Sequence, residues 1–481
     1  VAEQLLPDQI PADDDPVVVA LRAELGAAAV LTGSDVSNRS AGIWRTDTVQ
    51  AKAIVRPTST DEVARAMKIC HDFGQAVVVQ GGLTGLVESG LTGGDEVAIS
   101  LERMTQIEEV DELDRTMVVQ SGVPLQVVQE RAEQHNLMFP LDLGARGSCT
   151  IGGNIATNAG GNRVVRYGMM RDMVLGLEAV LADGSVVSSM NRMIKNNAGY
   201  DLKQLFVGTE GSLGIVTRAV LRLREAPSAS STMFVGVENF SKLTQFLKHI
   251  DATTGGTLSA FEVLWDNFYR LVSTPPAQQQ PPLEQTYPYY VLVEAIGTDN
   301  AAAEVALAEA MEQGLIADAV LAQSESQRQN LWAMRDDVEQ CFRYEPNFIF
   351  DVSLRVSAME DYVAAVNRGL EREFPGVTTT NFTFGHMGDG NLHFFISPGV
   401  DEAAQKDAAH DPIIREKVER CVYEPLRAIG GSISAEHGVG LEKKPWLSIS
   451  RNPSEIALMR TLKNALDPKG LLNSGKICCA H

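Results

Sequence analysis

The segment Phe384–Phe394, FGHMGDGNLHF, sets His386 and His393 seven residues apart around a Gly-Asp-Gly turn, and SAEHG downstream adds Glu436 and His437. Phe382–Phe384 and Leu392–Ile396 read as strands, so Met387–Asn391 reads as a hairpin connection. On one straight strand a spacing of seven turns the rings to opposite faces, and on a helix it separates them by about 10 Å. Folding back brings them together. Two imidazoles and the Glu436 carboxylate then make a three-ligand set with open positions, the pattern of a catalytic metal site. Nitrogen and oxygen donors suit Zn²⁺, and also Mn²⁺, Co²⁺ or Fe²⁺. Taken alone, two hairpin histidines are more often plain cross-strand neighbours. The same set also fits the iron triad of a non-haem oxygenase, a rival from a different enzyme class.

Two glycine-rich stretches could hold an anionic ligand nearby: QGGLTG at Gln80–Gly85 and GARGSCTIGGNIATNAGGN at Gly144–Asn162. Without Cβ atoms, successive backbone N–H groups can approach a phosphate, and small hydroxyl and amide side chains add donors. The first loop alone reads equally well as a plain strand exit. Neither stretch is the G-x-G-x-x-G of a nicotinamide dinucleotide fold. GLLNSGKI from Gly470 falls short of a P-loop, because Ile477 lacks the magnesium-binding hydroxyl and too little chain remains for a long helix. The terminal ICCAH is a poor metal site, since adjacent Cys478 and Cys479 with His481 are badly placed for tetrahedral ligation. Six cysteines without a C-x-x-C pair indicate reduced thiols.

These groups need elements to carry them, and 481 residues exceed a single hydrophobic core. Apolar content of 44% and charged content of 21% fit a soluble enzyme. A net charge of −21 disfavours nucleic acid and anionic membranes. No apolar run approaches the roughly 18 residues of a membrane-spanning helix, and the acidic start VAEQLLPDQIPADDDP lacks signal-peptide features. A soluble, cytoplasmic protein is expected. STDEVARAMKICHDFG predicts a helix capped by Ser59 and Glu62 with Val63, Ala66, Met67, Cys70 and Phe73 on one face. A short strand then feeds the first glycine loop, and VLGLEAVLADGSVVSS predicts a hairpin about Asp183-Gly184. From Ser231 strands and helices alternate, predicting a second α+β unit. TPPAQQQPPLEQTYP, Thr274–Pro288, predicts an exposed excursion without packed structure or catalytic role.

In order, RPTSTDEV, VVVQGGLTGL, DLGARGSCTIGGNIATNAGG, RYGMMRDMVLGLEAVLADGSVV, KNNAGYDLKQLFVGTEGSLGIVT, GHMGDGNLH, AEHGVGLEKK and DPKGLLNSGK resemble the FAD-linked D-2-hydroxyacid dehydrogenases. The likeness is to the D-2-hydroxyglutarate and D-lactate dehydrogenase branch of the vanillyl-alcohol-oxidase-type flavoproteins, from about Arg56 to Lys476. It implies an α+β protein with a two-subdomain, PCMH-type FAD-binding fold over residues 1–225. A ferredoxin-like substrate domain over 226–410 and a helical segment over 411–481 returning to the flavin complete it. FAD is expected against Gln80, Gly81, Gly82, Leu83, Thr84, Gly85 and Leu86, then Thr150, Ile151, Gly152 and Gly153. Thr157, Asn158, Gly160, Gly161, Gly214, Ile215 and Asn473 complete the cofactor contacts. Some relatives attach flavin through a histidine in the first loop; none stands here, so FAD is expected to be noncovalent.

The resemblance also places His386, His393 and Glu436 on the metal positions, His437 at the general base, and Arg335 and Asn391 at the substrate. The chemistry is coherent, because a chelated 2-hydroxy acid has a lowered hydroxyl pKa and can lose its proton near neutral pH. The guanidinium fork of Arg335 matches a carboxylate. Ile349 stands where glutarate-oxidising relatives tend to have Lys, Glu339 where a small hydroxyl residue is common, and Phe395 where Asn is frequent. D-2-hydroxyglutarate is the favoured substrate, with an apolar-pocket acid of the D-lactate, D-malate or D-mandelate type as the alternative. An electron-transfer flavoprotein, a quinone or a cytochrome is expected to take the electrons, and a homodimer is the default assembly.

Overall fold

The computed structural model describes residues 12–399 and 411–478. The acidic start through residue 11, and Cys479 and His481 of the terminal cluster, lie outside the described residues.

A four-stranded sheet comes first, with Val77–Gln80, Val97–Ser100 and Ala53–Val55 parallel and Val30–Leu31 antiparallel at the edge. The helix Thr60–Phe73 packs on it through Val63, Ala66, Met67 and Cys70. Its start differs from a reciprocal capping box: Ser59 accepts from the N–H of Glu62, while Glu62 Oε2 accepts from the N–H of Thr58 at 2.7 Å. Phe73, expected on the buried face, is 52% exposed in the last turn before Gly74. A five-stranded sheet follows in the order Ile107–Asp111, Thr116–Gln120, Ile215–Arg222, Val174–Val180, Val186–Ser189. The last two strands form the hairpin about Asp183-Gly184.

The second half is built on a seven-stranded sheet whose neighbours all pair antiparallel. Its order is Asp318–Leu321, Ser230–Val237, Tyr289–Ile296, Leu258–Trp265, Thr379–His386, Asn391–Pro398, Phe348–Ser353. Alternation of side chains across a strand divides it into two faces. Phe261, Val263, Phe350, Val352, Leu392 and Phe394 face the helices Phe240–Thr253, Asn300–Glu312, Met359–Glu373 and Pro412–Ile429. Leu264, Phe382, Phe384 and Phe395 face the helices Asp266–Ser273 and Glu325–Asp336. By the same alternation Glu262, Asp351, His386 and His393 share that second face.

The strand Leu258–Trp265 escaped the sequence reading, and Thr274–Pro288 is the largely exposed excursion expected, except that Ala277 and Leu283 are buried. There Leu283 is buried and its carbonyl accepts from the Tyr269 hydroxyl at 2.8 Å. Tyr269 and Tyr290, stacked with centroids 3.8 Å apart, anchor it there, the Tyr290 hydroxyl donating to the Glu284 carbonyl at 2.6 Å. The C-terminal segment returns to the first sheet, where Leu472 bridges Val77 and Asn473 N–H donates to the Val77 carbonyl at 2.8 Å. Among the described residues no helix is long and apolar enough to cross a membrane.

Candidate active site

Strand register assembles the site. Glu262 lies opposite His386, and Asp351 opposite His393, on the shared sheet face. The hairpin closes through a 3₁₀ turn, Met387–Asp389, and Gly390 at φ 90°, where a Cβ would meet the Leu354 carbonyl at 2.7 Å. The two imidazoles sit diagonally across the strand pair, centroids 5.2 Å apart and planes at 85°. One ligand atom from each of His386, His393 and Glu436 lies within 4.8 Å of the others. Glu262 Oε1 stands 2.7 Å from His386 Nδ1, which leaves Nε2 turned toward Glu436 Oε1 at 3.7 Å. A carboxylate behind an imidazole in this way fixes the tautomer of a metal-binding histidine. Burial alone would lower the His386 pKa, but Glu262 and Glu436 raise it to about 9.

Arg335 is buried in the last turn of its helix. Its Nε and Nη2 reach Glu262 Oε2 at 2.9 and 2.8 Å, Nη1 reaches Asp336 Oδ1 at 3.2 Å, and the guanidinium lies over the Phe384 ring. It stands beside His386, with Nη2 3.5 Å from the ring nitrogens. Asn391 is turned the other way. Its amide nitrogen donates to Asp351 Oδ1 and the Val352 carbonyl, both at 2.9 Å, so the expected substrate contact is directed into the sheet instead.

Glu436 and His437 lie on a loop clamped by two buried carboxylates. Asp351 Oδ2 accepts from the N–H groups of Ala435, Glu436 and His437 at 3.0, 2.9 and 3.1 Å. Glu210 accepts from Val439 N–H at 2.7 Å and Gly440 N–H at 2.9 Å, and also from the Ser89 hydroxyl. Burial would raise the Asp351 pKa, yet His437, Lys443, His393 and the Glu436 N–H hold it well below the usual range. Burial pushes His437 down to about 4, against the pull of Asp351. Its ring stacks on His393 at 5.9 Å and 21°.

Sequence reasoning missed Glu262, Asp351 and Glu210. The first two are the lone charges in the apolar strands LSAFEVLW and FIFDVS. A charge placed so must be paired when buried, and that was the available signal.

A cavity of about 1070 Å³ runs from the glycine loops to Glu436 and His437. The whole Gln80–Leu86 loop lines it, as do Thr150, Gly152, Gly153, Thr157, Gly160, Gly214, Ile215 and Asn473. Three expected contacts stand behind the wall. Ile151 is packed in the core, Asn158 ends the helix Ile151–Thr157 at φ 51°, and a Cβ on Gly161 would meet the Asp142 carbonyl at 2.0 Å. The cradle fits an anionic cofactor: a Cβ on Gly82 would strike the Ser148 carbonyl at 2.1 Å, and the buried Thr150 hydroxyl has no protein partner.

Residues 51–189 match the FAD binding domain family, and residues 226–477 match the family described as FAD linked oxidases, C-terminal domain. The chain is 38% identical over 473 residues to a D-2-hydroxyglutarate dehydrogenase of Xanthomonas citri pv. viticola, spanning 97% of this chain and 98% of that protein. It is 35% identical over 483 residues to a mitochondrial D-2-hydroxyglutarate dehydrogenase of Bos taurus, spanning 99% and 86%. Among solved structures, an alkyldihydroxyacetonephosphate synthase superposes with a TM-score of 0.74 at 15% identity, covering 98% of this chain and 87% of that one. That likeness is one of fold.

Proposed function

The chain belongs to the FAD-linked D-2-hydroxyacid dehydrogenase family, and from that premise we propose a division of labour among its residues: His386, His393 and Glu436 hold a divalent ion against the substrate hydroxyl, and His437 accepts the hydroxyl proton. The observation that carries this is the approach of the three donors within 4.8 Å of one another, with Glu436 among them lining the glycine-rich cavity. When bound, FAD supplies the acceptor for the hydride leaving C2, and the ion supplies the Lewis acidity that makes the hydroxyl easier to deprotonate.

The protein's own residues do the rest. Glu262 holds the His386 tautomer through Nδ1. His437 lines the cavity with its Nδ1 4.0 Å from Asp351 Oδ2, and its ring takes the proton. Asp351 then stands ready to stabilise the resulting imidazolium. Arg335, beside His386, is held by Glu262 and Asp336, and it would meet the substrate carboxylate by exchanging its Nη1 contact with Asp336. The product is a 2-oxo acid, and a separate electron acceptor completes the cycle. A non-haem iron oxygenase built on the same triad would have no use for the glycine-lined cavity. The relatives are named for D-2-hydroxyglutarate, whose hydroxy-carboxylate head is common to every D-2-hydroxy acid.

Anaerobic mixing of the FAD-loaded protein with D-2-hydroxy acids tests the proposal. Flavin absorbance should bleach with D but not L enantiomers. His437→Asn should keep FAD and slow bleaching by about 10²- to 10⁴-fold; an unchanged rate would mean that another group takes the proton.

A further inference from the structure

We infer that Arg163 is a positioning residue for hydride transfer: it pins the seven-stranded sheet that carries the imidazoles to the glycine loop that lines the cofactor cavity. This rests on the dehydrogenase reading above.

The loop leaving the helix Ile151–Thr157 serves both sides. Thr157 and Gly160 line the cavity, and a Cβ on Gly160 would meet Glu436 Oε1 at 2.7 Å, so the loop abuts the proposed acidic ligand directly. Three residues on comes Arg163. Its Nε donates to Glu294 Oε1 at 3.0 Å, and its Nη2 stands 3.6 Å from Asp142 Oδ2. Asp142 is tied to the same loop, its carbonyl accepting from Asn162 N–H at 2.9 Å. Glu294 belongs to the other half of the protein. It sits in the strand Tyr289–Ile296 with its side chain 1% exposed. The pair Ala260–Glu294 adjoins the pair Glu262–Leu292, so by alternation Glu294 shares the sheet face of Glu262.

A carboxylate that deep needs a cation. Arg163 supplies it: among the described residues Arg328 stays 3.8 Å away, the other hydrogen bond to this carboxylate comes from the Ser259 hydroxyl at 3.1 Å, and Oε2 has none. The short helix Val164–Tyr167 continues the docking. Arg166 donates to the carbonyls of Thr257, at 3.1 Å, and Ile296. Val165 touches the turn between the two imidazoles, since a Cβ on Gly388 would meet its Cγ2 at 3.2 Å. Residues 160–166 therefore meet Glu436 at one end and the hairpin of His386 and His393 at the other, and the Arg163–Glu294 ion pair fixes their seat in between. Reaction between groups carried on two packed units depends on registration, and a displacement of about 1 Å can cost about 10²-fold in rate.

The test is anaerobic single-turnover reduction of protein loaded with FAD and metal by D-2-hydroxyglutarate, D-malate, D-lactate and D-mandelate, continued with the fastest of them in protiated and C2-deuterated form. Arg163→Met should lower the limiting rate constant ~10- to 100-fold while the half-saturating concentration stays within ~3-fold of the parent's. Lost fold or lost cofactor would lower the amplitude instead and leave the rate constant of the remaining holoenzyme in place. The isotope effect should persist in the variant, because hydride transfer is the step made slower. Arg163→Lys keeps the charge but not the fork, so its rate constant should lie between those of Arg163→Met and the parent. It also decides the matter should Arg163→Met fail to accumulate as holoenzyme. A parent-like rate constant in either variant, or an isotope effect that vanishes, overturns the inference and leaves the dehydrogenase reading intact. A parent whose flavin none of the four acids bleaches overturns that reading, and this inference with it.

Discussion

Asp351 Oδ2 accepts the backbone N–H of Glu436 at 2.9 Å, and the same carboxylate stands opposite His393 in the sheet. The proposed metal ligand on the loop and the one on the hairpin therefore share a single buried anchor. Lys443, buried 3.6 Å from that oxygen, supplies the countercharge. Asp351→Asn puts an N–H where acceptors are needed and leaves the buried Lys443 without its countercharge. Breaking such a buried pair costs about 3–5 kcal/mol, so the unfolding midpoint should drop well below that of the parent. Metal content should fall with it, and a variant with both unchanged would show that the loop holds its shape without this anchor.

Glu262→Gln replaces the carboxylate behind His386 by an amide of the same shape. Loss of a carboxylate partner of this kind typically weakens metal binding about 10- to 100-fold. Competition with a chelator of known affinity measures it, and equal affinities would mean that Glu262 serves Arg335 alone.

Gly82→Ala places a methyl group 2.1 Å from the Ser148 carbonyl, where the two glycine loops touch. Backbone must shift to admit it, and the loop then no longer fits an anionic cofactor. The purified variant should carry much less FAD than the parent, read from the ratio of visible to ultraviolet absorbance. Full occupancy would show that this contact is dispensable.

Burial holds the Lys476 ammonium down to about 8 from an ordinary value of 10.5. The unfolded chain therefore binds the extra proton between those values, so this group makes stability rise with pH across that window and depresses it below. Lys476→Met should remove that contribution. Its unfolding midpoint relative to the parent should be more favourable at about pH 7.5 than at about pH 10, and a pH-independent difference would contradict the assignment.

The hairpin, the Asp183-Gly184 turn and the capped helix from Thr60 were legible because each rests on short-range patterning: alternation, a Gly-containing turn, a hydroxyl before an apolar repeat. Leu258–Trp265 was not, since a strand covered on both faces shows no alternation. With it went Glu262, whose partners His386 and Arg335 lie 124 and 73 residues away. Local spacing cannot report a pairing of that range. In Thr274–Pro288 the exposed chain was legible from composition, while the anchor at Leu283 and Glu284 was not, because Tyr269 and Tyr290, which make it, lie outside the segment. Ile151, Asn158 and Gly161 follow the glycine-rich pattern of the second loop, but only alternate stretches of such a loop can face a cavity while the others support it.

The central claim is that a divalent ion held by His386, His393 and Glu436 is needed for a D-2-hydroxy acid to pass electrons to FAD. The direct measurement is stopped-flow flavin reduction by a D-2-hydroxy acid before chelation, after removal of metal, and after its return. With FAD retained throughout, the rate should fall at least ~100-fold on chelation and recover with Zn²⁺ or Mn²⁺. Metal-free protein that reduces its flavin at the original rate would contradict the account.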